Sequence, residues 1–235
     1  MFLYCWRGLK MTTQDVFPFN LQISPEQAIH WQLRLRQRIR FCPLEGQKLQ
    51  RITALKAMTD SHQALAVAIT VDMENWSIVD KTFTTLPLTF PYIPGLYAFS
   101  VLPAMMEAFA RLNSRGDVII VEGHGFAHPR RFGLACHLGV ALDAPTMGCA
   151  RNLVTGTVRP VAREAGRFTE IMDGEDVIGL AYRSQTGVKP IYLSVGHRMD
   201  LDSVLRVTTA CITRFRMPEP LRLADKSMRE YRKKE

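Results

Sequence analysis

The residues with the most chemical content lie in a few short stretches. Val121-Glu-Gly-His-Gly-Phe-Ala-His-Pro-Arg-Arg-Phe-Gly133 sets a carboxylate, two imidazoles and two guanidiniums among three glycines. Gly123, Gly125 and Gly133 have no Cβ, so a flat ligand can come close to backbone N–H and C=O groups there. A glycine turn at a strand end is common, however, and alone implies nothing. His124 and His128 fit either a ligand contact or satisfied structural roles. Arg130 and Arg131 carry planar forks that suit phosphate, with salt bridges as the plain alternative. Pro91-Tyr92-Ile93-Pro94-Gly95 is a stiff turn, because its prolines fix φ, and it holds an aromatic ring at little ordering cost. A packed tyrosine in a rigid turn is its bland equivalent. Thr146-Met-Gly-Cys-Ala-Arg151 ends in a cation, and Arg216-Met-Pro-Glu-Pro-Leu-Arg-Leu-Ala-Asp225 ends in a carboxylate.

These stretches need a scaffold. Ser24-Pro25-Glu26-Gln27 has the pattern of a helix start, with a capping box and proline at the first helical position. Ala28, Trp31, Leu35 and Ile39 follow at helical spacing, and Arg34, Arg36, Arg38 and Arg40 form a solvated face. Strand-like segments cover 49–59, 64–71 and 76–88, with short connections that imply antiparallel pairing. A helix is expected over 98–113, then a wholly apolar run at 117–121 that marks a strand buried on both faces. A helix after Pro129, strands near 145–149, 177–182 and 191–195, and a helix over 200–214 complete the pattern. Three antiparallel strands followed by alternating helix and strand imply an α/β domain with a mixed sheet flanked by helices. We expect an N-terminal extension over 1–22 with Met11 a candidate start, one domain over 23–225, and a basic tail over 226–235.

Composition narrows the class. A chain of 235 residues that is 47% hydrophobic and 22% charged can bury a sizeable core and is not disordered. A net charge of +8 is compatible with a polyanionic partner. The five cysteines are odd in number and show no C-x-x-C spacing, so a reducing, cytoplasmic setting with inert thiols is expected. No apolar run is long enough to span a membrane, and Arg7 interrupts the opening too early for a signal peptide.

Taken together, the 91–95, 121–133, 146–151 and 216–225 segments resemble the endonuclease V family in order and spacing, and Gly196-His-Arg-Met-Asp-Leu-Asp202 is also similar. The resemblance covers about 48–225. It implies a ribonuclease H-like fold and metal-dependent cleavage of the second phosphodiester bond on the 3′ side of inosine, as in DNA repair. It further implies inosine-containing DNA or RNA as partner, Mg²⁺ as cofactor and a monomer. In that frame Pro91, Tyr92, Ile93 and Pro94 form a wedge beside the lesion. Gly123, Gly125 and His128 meet the flipped base, and Arg130 and Arg131 hold phosphate.

The same resemblance exposes a departure. The family's first carboxylate, an Asp in the first strand, corresponds to Lys56, or to Ala54 if the match shifts by two. The second, a Glu six residues after the glycine of the proline turn, corresponds to Val101. Glu122 and Asp225 stand at the third and fourth positions, and Arg151 stands where the family has lysine. Glu122 and Asp225 are thus the only expected metal donors, and the Lys56 ammonium is expected to pair with both. That pattern suits a protein that binds inosine-containing nucleic acid without cutting it. The alternatives are an active deoxyinosine endonuclease with a reorganised metal site and a scaffold that keeps only the fold.

Overall fold

A computed structural model describes residues 3–4, 11–12, 23–44 and 48–233. Of the expected N-terminal extension, only β1 (Leu3–Tyr4) and β2 (Met11–Thr12), a short antiparallel pair, fall within them. The capping box forms as its residues predict. Ser24 Oγ accepts from the Gln27 N–H and Gln27 Oε1 accepts from the Ser24 N–H, opening α1 (Pro25–Arg36).

β3 (Arg51–Thr59), β4 (Gln63–Asp72) and β5 (Ile78–Pro87) form an antiparallel meander. The Asp60 carboxylate accepts from the His62 and Gln63 N–H groups and fixes the first tight turn. After α2 (Tyr97–Ala110), β6 (Val118–Glu122) enters parallel to β3. After α3 (Leu134–Leu142), β7 (Thr146–Ala150) enters parallel to β6. β8 (Thr157–Val158), β9 (Phe168–Asp173), β10 (Asp176–Tyr182) and β11 (Ile191–His197) extend the sheet antiparallel, with β11 beside β7. α4 (Leu201–Cys211) and α5 (Glu219–Arg232) follow. The nine-stranded order is β5-β4-β3-β6-β7-β11-β10-β9-β8.

Alternation along the strands divides the core between two faces. Leu55, Ile119 and Val121 pack with α1, α2 and α3; Ala54, Ile120, Met147 and Cys149 pack with α4 and α5. Burying each large aliphatic side chain contributes roughly 1.5–3 kcal/mol, so both helical layers are firmly held. Among the described residues, no helix is long and apolar enough to cross a membrane.

Two departures matter for function. α2 ends at Ala110 rather than near 113, because the Asp80 carboxylate takes the N–H groups of Asn113 and Ser114. The expected basic tail is instead the second half of α5 as far as Arg232. Leu221, Ala224 and Met228 recur at helical spacing and are buried against the sheet.

Candidate nucleic-acid site

The three central strands β3, β6 and β7 place one row of side chains at their carboxyl ends, on the face that α5 covers. Leu55 pairs with Val121, and Glu122 with Cys149. That register sets Lys56 beside Glu122 and Arg151 just beyond the end of β7. Lys56 Nζ forms a short hydrogen-bonded ion pair with Glu122 Oε2 and lies 3.0 Å from Asp225 Oδ1. Arg151 Nε donates to Glu122 Oε1 at 2.9 Å, and Arg229 Nη2 lies 2.7 Å from Asp225 Oδ2, one helical turn away on α5. The side chains of Lys56, Glu122 and Asp225 are 18%, 15% and 17% exposed, so these charges are largely withdrawn from solvent. Burial works to raise the Asp225 carboxyl, but the hydrogen bond and charge of Lys56, with Arg229 and Arg151, outweigh it. The group sits below its ordinary range.

This donor set does not fit a divalent cation. Three cations engage two carboxylates, and each carboxylate is shared between two of the cations. Val101 is fully buried within the α2 layer and offers no oxygen. Ala54 is likewise buried and carries no polar side chain, whereas Lys56 lies between Glu122 and Asp225. Glu107, the next acid on α2, points to Arg111 on the surface. Among the described residues, no group of three or more His, Cys, Asp or Glu side chains could hold a metal ion.

Beside this cluster opens a cleft of about 810 Å³. Gly123, the neighbour of Glu122, lines it, together with Tyr92, Pro94, Gly95, Tyr97, His124, His128, Gly133, Leu134 and Val154. The Tyr92 side chain stands 63% exposed at the rim, its ring 5.7 Å edge-on from that of Tyr97. Tyr97 Oη donates to the Ala57 carbonyl at 3.1 Å. Burial, followed by the nearby Tyr92 and Glu122, pushes its hydroxyl up to about 12.

The turn that carries Tyr92 is anchored at Gly95. Its φ of +78° is a conformation that side chains rarely adopt, and an added Cβ would lie 2.7 Å from Arg130 Nη2. The Gly95 carbonyl accepts from Gln32 Nε2 at 3.0 Å, His128 Nε2 at 3.1 Å and Arg130 Nη2 at 2.6 Å. His128 Nδ1 accepts from the Arg130 N–H at 3.2 Å, which sets the neutral Nε2–H tautomer. Burial, then the Arg130 charge, pushes His128 down to about 4.

These contacts give two of the expected ligand residues a structural task as well. Both ring nitrogens of His128 and the Nε and Nη2 of Arg130 are engaged around the turn, while both residues line the cleft. Arg131, at φ +57°, reaches Asp173 at 2.7 Å and Asp176 at 3.4 Å on the β9–β10 hairpin, so the salt-bridge alternative holds for it. Both arginines lie in the turn before α3 rather than in its first helical residues. Gly125 is a packing glycine: a Cβ there would meet the Val195 carbonyl at 2.1 Å, and the residue does not line the cleft. His124 does line it, and its Nε2 shares a hydrogen bond with the Asn152 carbonyl at 2.9 Å. Gln32 and Tyr97, which contact the turn and line the cleft, were not singled out by the sequence. Arg229 fell within the expected basic tail, and its pairing with Asp225 was not foreseen. A second hollow of about 560 Å³ opens on the far side of Asp225, where Arg151, Arg216, Arg222, Lys226, Arg229 and Lys233 outnumber Asp225 and Glu230.

Residues 33–226 match the family model described as Endonuclease V. An endonuclease V of Thermus thermophilus is 42% identical over 214 residues, covering 88% of this chain and 93% of that protein. The crystal structure of endonuclease V from Streptomyces avermitilis superposes with a TM-score of 0.86 at 35% identity, covering 93% of this chain and 97% of that one. A single-residue variant of the Ciona intestinalis enzyme, in complex with a 23mer DNA containing an inosine followed by a ribo-adenosine, matches with a TM-score of 0.77 at 25% identity, covering 90% and 99%. The mixed sheet with helices on both faces is therefore a ribonuclease H-like α/β fold. Given a match that spans the Pro91–Gly95 turn, the cleft and the charged strand ends alike, the chain belongs to the endonuclease V family.

Proposed function

We propose that this protein recognises inosine-containing nucleic acid and holds it without metal-dependent cleavage. The observation that carries the reading is the Lys56 ammonium between Glu122 and Asp225. Phosphodiester hydrolysis by this family needs clustered oxygen donors for a divalent ion, which activates water and neutralises charge on the departing oxygen. Here an ammonium occupies that locus, and it has no coordination position at which to bind and activate water. With Arg151 and Arg229 it neutralises the two carboxylates and leaves the cluster with a net positive charge that suits a phosphate lying across it.

The binding half of the reading rests on the cleft and its rim. Tyr92, held out on its proline turn, can fill the stack vacated by a flipped base, while Gly123 and Gly133 keep part of the cleft wall free of side chains for a flat base. The basic hollow beyond Asp225, where six cations outnumber two carboxylates, offers phosphate partners for the strand as it leaves the site. The inosine DNA bound by the Ciona relative supports the same ligand class.

The test uses labelled duplexes, one with inosine and one undamaged, incubated in EDTA or in Mg²⁺ or Mn²⁺ and run on native and denaturing gels. Retention of the inosine duplex in EDTA, with no nick in either metal, is the expected result. Metal-dependent nicking abolished by Glu122→Ala would instead establish the active endonuclease. Equal affinity for both duplexes would end the recognition claim.

A further inference from the structure

We propose that Gln32 is a positioning residue that locks the Tyr92 turn to the cleft wall, so that the two act as one unit in discriminating inosine; this rests on the recognition reading above. The Gln32 side chain is 1% exposed and belongs to α1, a helix whose outer face is mainly arginine and solvent. Its amide makes three contacts to two other segments. Nε2 donates to the Gly95 carbonyl at 3.0 Å and to the Phe132 carbonyl at 3.1 Å, and Oε1 accepts from Arg130 Nε. Gly95 closes the Tyr92 turn, and Phe132 and Arg130 belong to the segment that runs past His128 into the cleft wall.

The chemistry permits one orientation only. A flipped amide would set its oxygen against two carbonyls and its nitrogen against a guanidinium. Neither a hydrophobe nor a carboxylate reproduces this set, since the first satisfies none of the three groups and the second satisfies only Arg130. A residue needed only to fill space beneath the turn has no use for such a pattern. Gly95, three residues from Tyr92, is thereby held from α1 as well as from His128 and Arg130. A shift of the turn must therefore carry the cleft wall with it.

The experiment uses the full chain with Gln32→Leu and Gln32→Glu. Hydrogen exchange of the free protein comes first. Amides of 93–97 and 131–135 are expected to lose protection together, by about tenfold or more, while 119–121 in β6 stay protected. Next, the affinity ratio for inosine over undamaged duplex is measured for Gln32→Leu, Tyr92→Ala and their double variant. Each single change is expected to cut the ratio about tenfold. In the Gln32→Leu background, Tyr92→Ala costs less than about twofold, because a released turn no longer delivers the ring. Additive effects, unchanged exchange in the two segments, or loss of protection throughout the sheet in both variants would each overturn the inference. A wild-type protein without inosine preference defeats the recognition reading, and the exchange experiment still decides whether Gln32 couples the segments.

Discussion

Exchanging Lys56 for Asp and Val101 for Glu returns oxygen donors to the positions where this family has them. In the native cluster three cations face two carboxylates; Lys56→Asp alone leaves two cations facing three carboxylates, which already changes the sign of the excess charge, and Val101→Glu adds an acid on α2. A unit charge pair about 4 Å apart is worth on the order of 4 kcal/mol at an effective dielectric near 20, and a divalent ion doubles that figure. The Lys56 ammonium therefore opposes a metal by several kcal/mol, and an aspartate there attracts it by a similar amount before desolvation. Retaining even an eighth of that swing, about 2 kcal/mol, exceeds a tenfold gain in metal affinity. Because Val101 is fully buried, the carboxylate that Val101→Glu introduces costs stability in metal-free buffer, several kcal/mol if it stays ionised and dry. The readouts are thermal midpoint and inosine-duplex nicking, each titrated with Mg²⁺. The double variant is expected to melt lower than wild type in EDTA, to recover with Mg²⁺, and to gain metal-dependent nicking. The single Lys56→Asp variant, which leaves Val101 intact, is expected to show a smaller metal-dependent shift. No response to metal in either variant would refute the assignment of these positions, and so would nicking by the wild type that Lys56→Asp leaves unchanged.

Particular contacts set three further outcomes. Gly95→Ala places a methyl 2.7 Å from Arg130 Nη2 at φ +78°; a loss of about 1–2 kcal/mol is expected from the left-handed conformation alone, read from urea midpoints, with the inosine preference falling as well. His128 titrates near 4 in the folded protein and near 6.5 unfolded, so the unfolded state takes up the proton first and stability falls as pH drops from about 6.5 towards 4. His124 and His197, lowered by burial, act in the same direction, so the diagnostic is a flatter pH profile in His128→Gln than in wild type. Lys226→Ala removes one cation of the basic hollow; its slope of log affinity against log salt should drop by about 1, equally for inosine and undamaged duplexes, whereas a selective loss on inosine would argue against a phosphate role.

The fold was legible wherever local pattern decides it. Alternation and tight turns mark β3 to β5, the apolar run marks β6, and the capping box marks α1. The Pro91–Gly95 turn and the Gly-rich stretch were legible as segments because their residue types are unusual in combination. Less legible were outcomes set by distant partners. Arg131 reads locally as a phosphate ligand, yet Asp173 and Asp176, more than forty positions on, claim it. Gln32 reads as one polar residue on an amphipathic helix, and only contacts across sixty-three and a hundred positions reveal its task. α5 was missed for a different reason: its cations outweigh the regular spacing of Leu221, Ala224 and Met228, which is the stronger physical signal.

What occupies the space between Glu122 and Asp225 decides whether this protein can cut. Crystals soaked in millimolar Mn²⁺, with anomalous scattering collected at the manganese edge, address that space directly. The expected map shows no manganese peak there and the Lys56 side chain bridging both carboxylates. A peak at that position liganded by Glu122 and Asp225, with Lys56 turned aside, would contradict it.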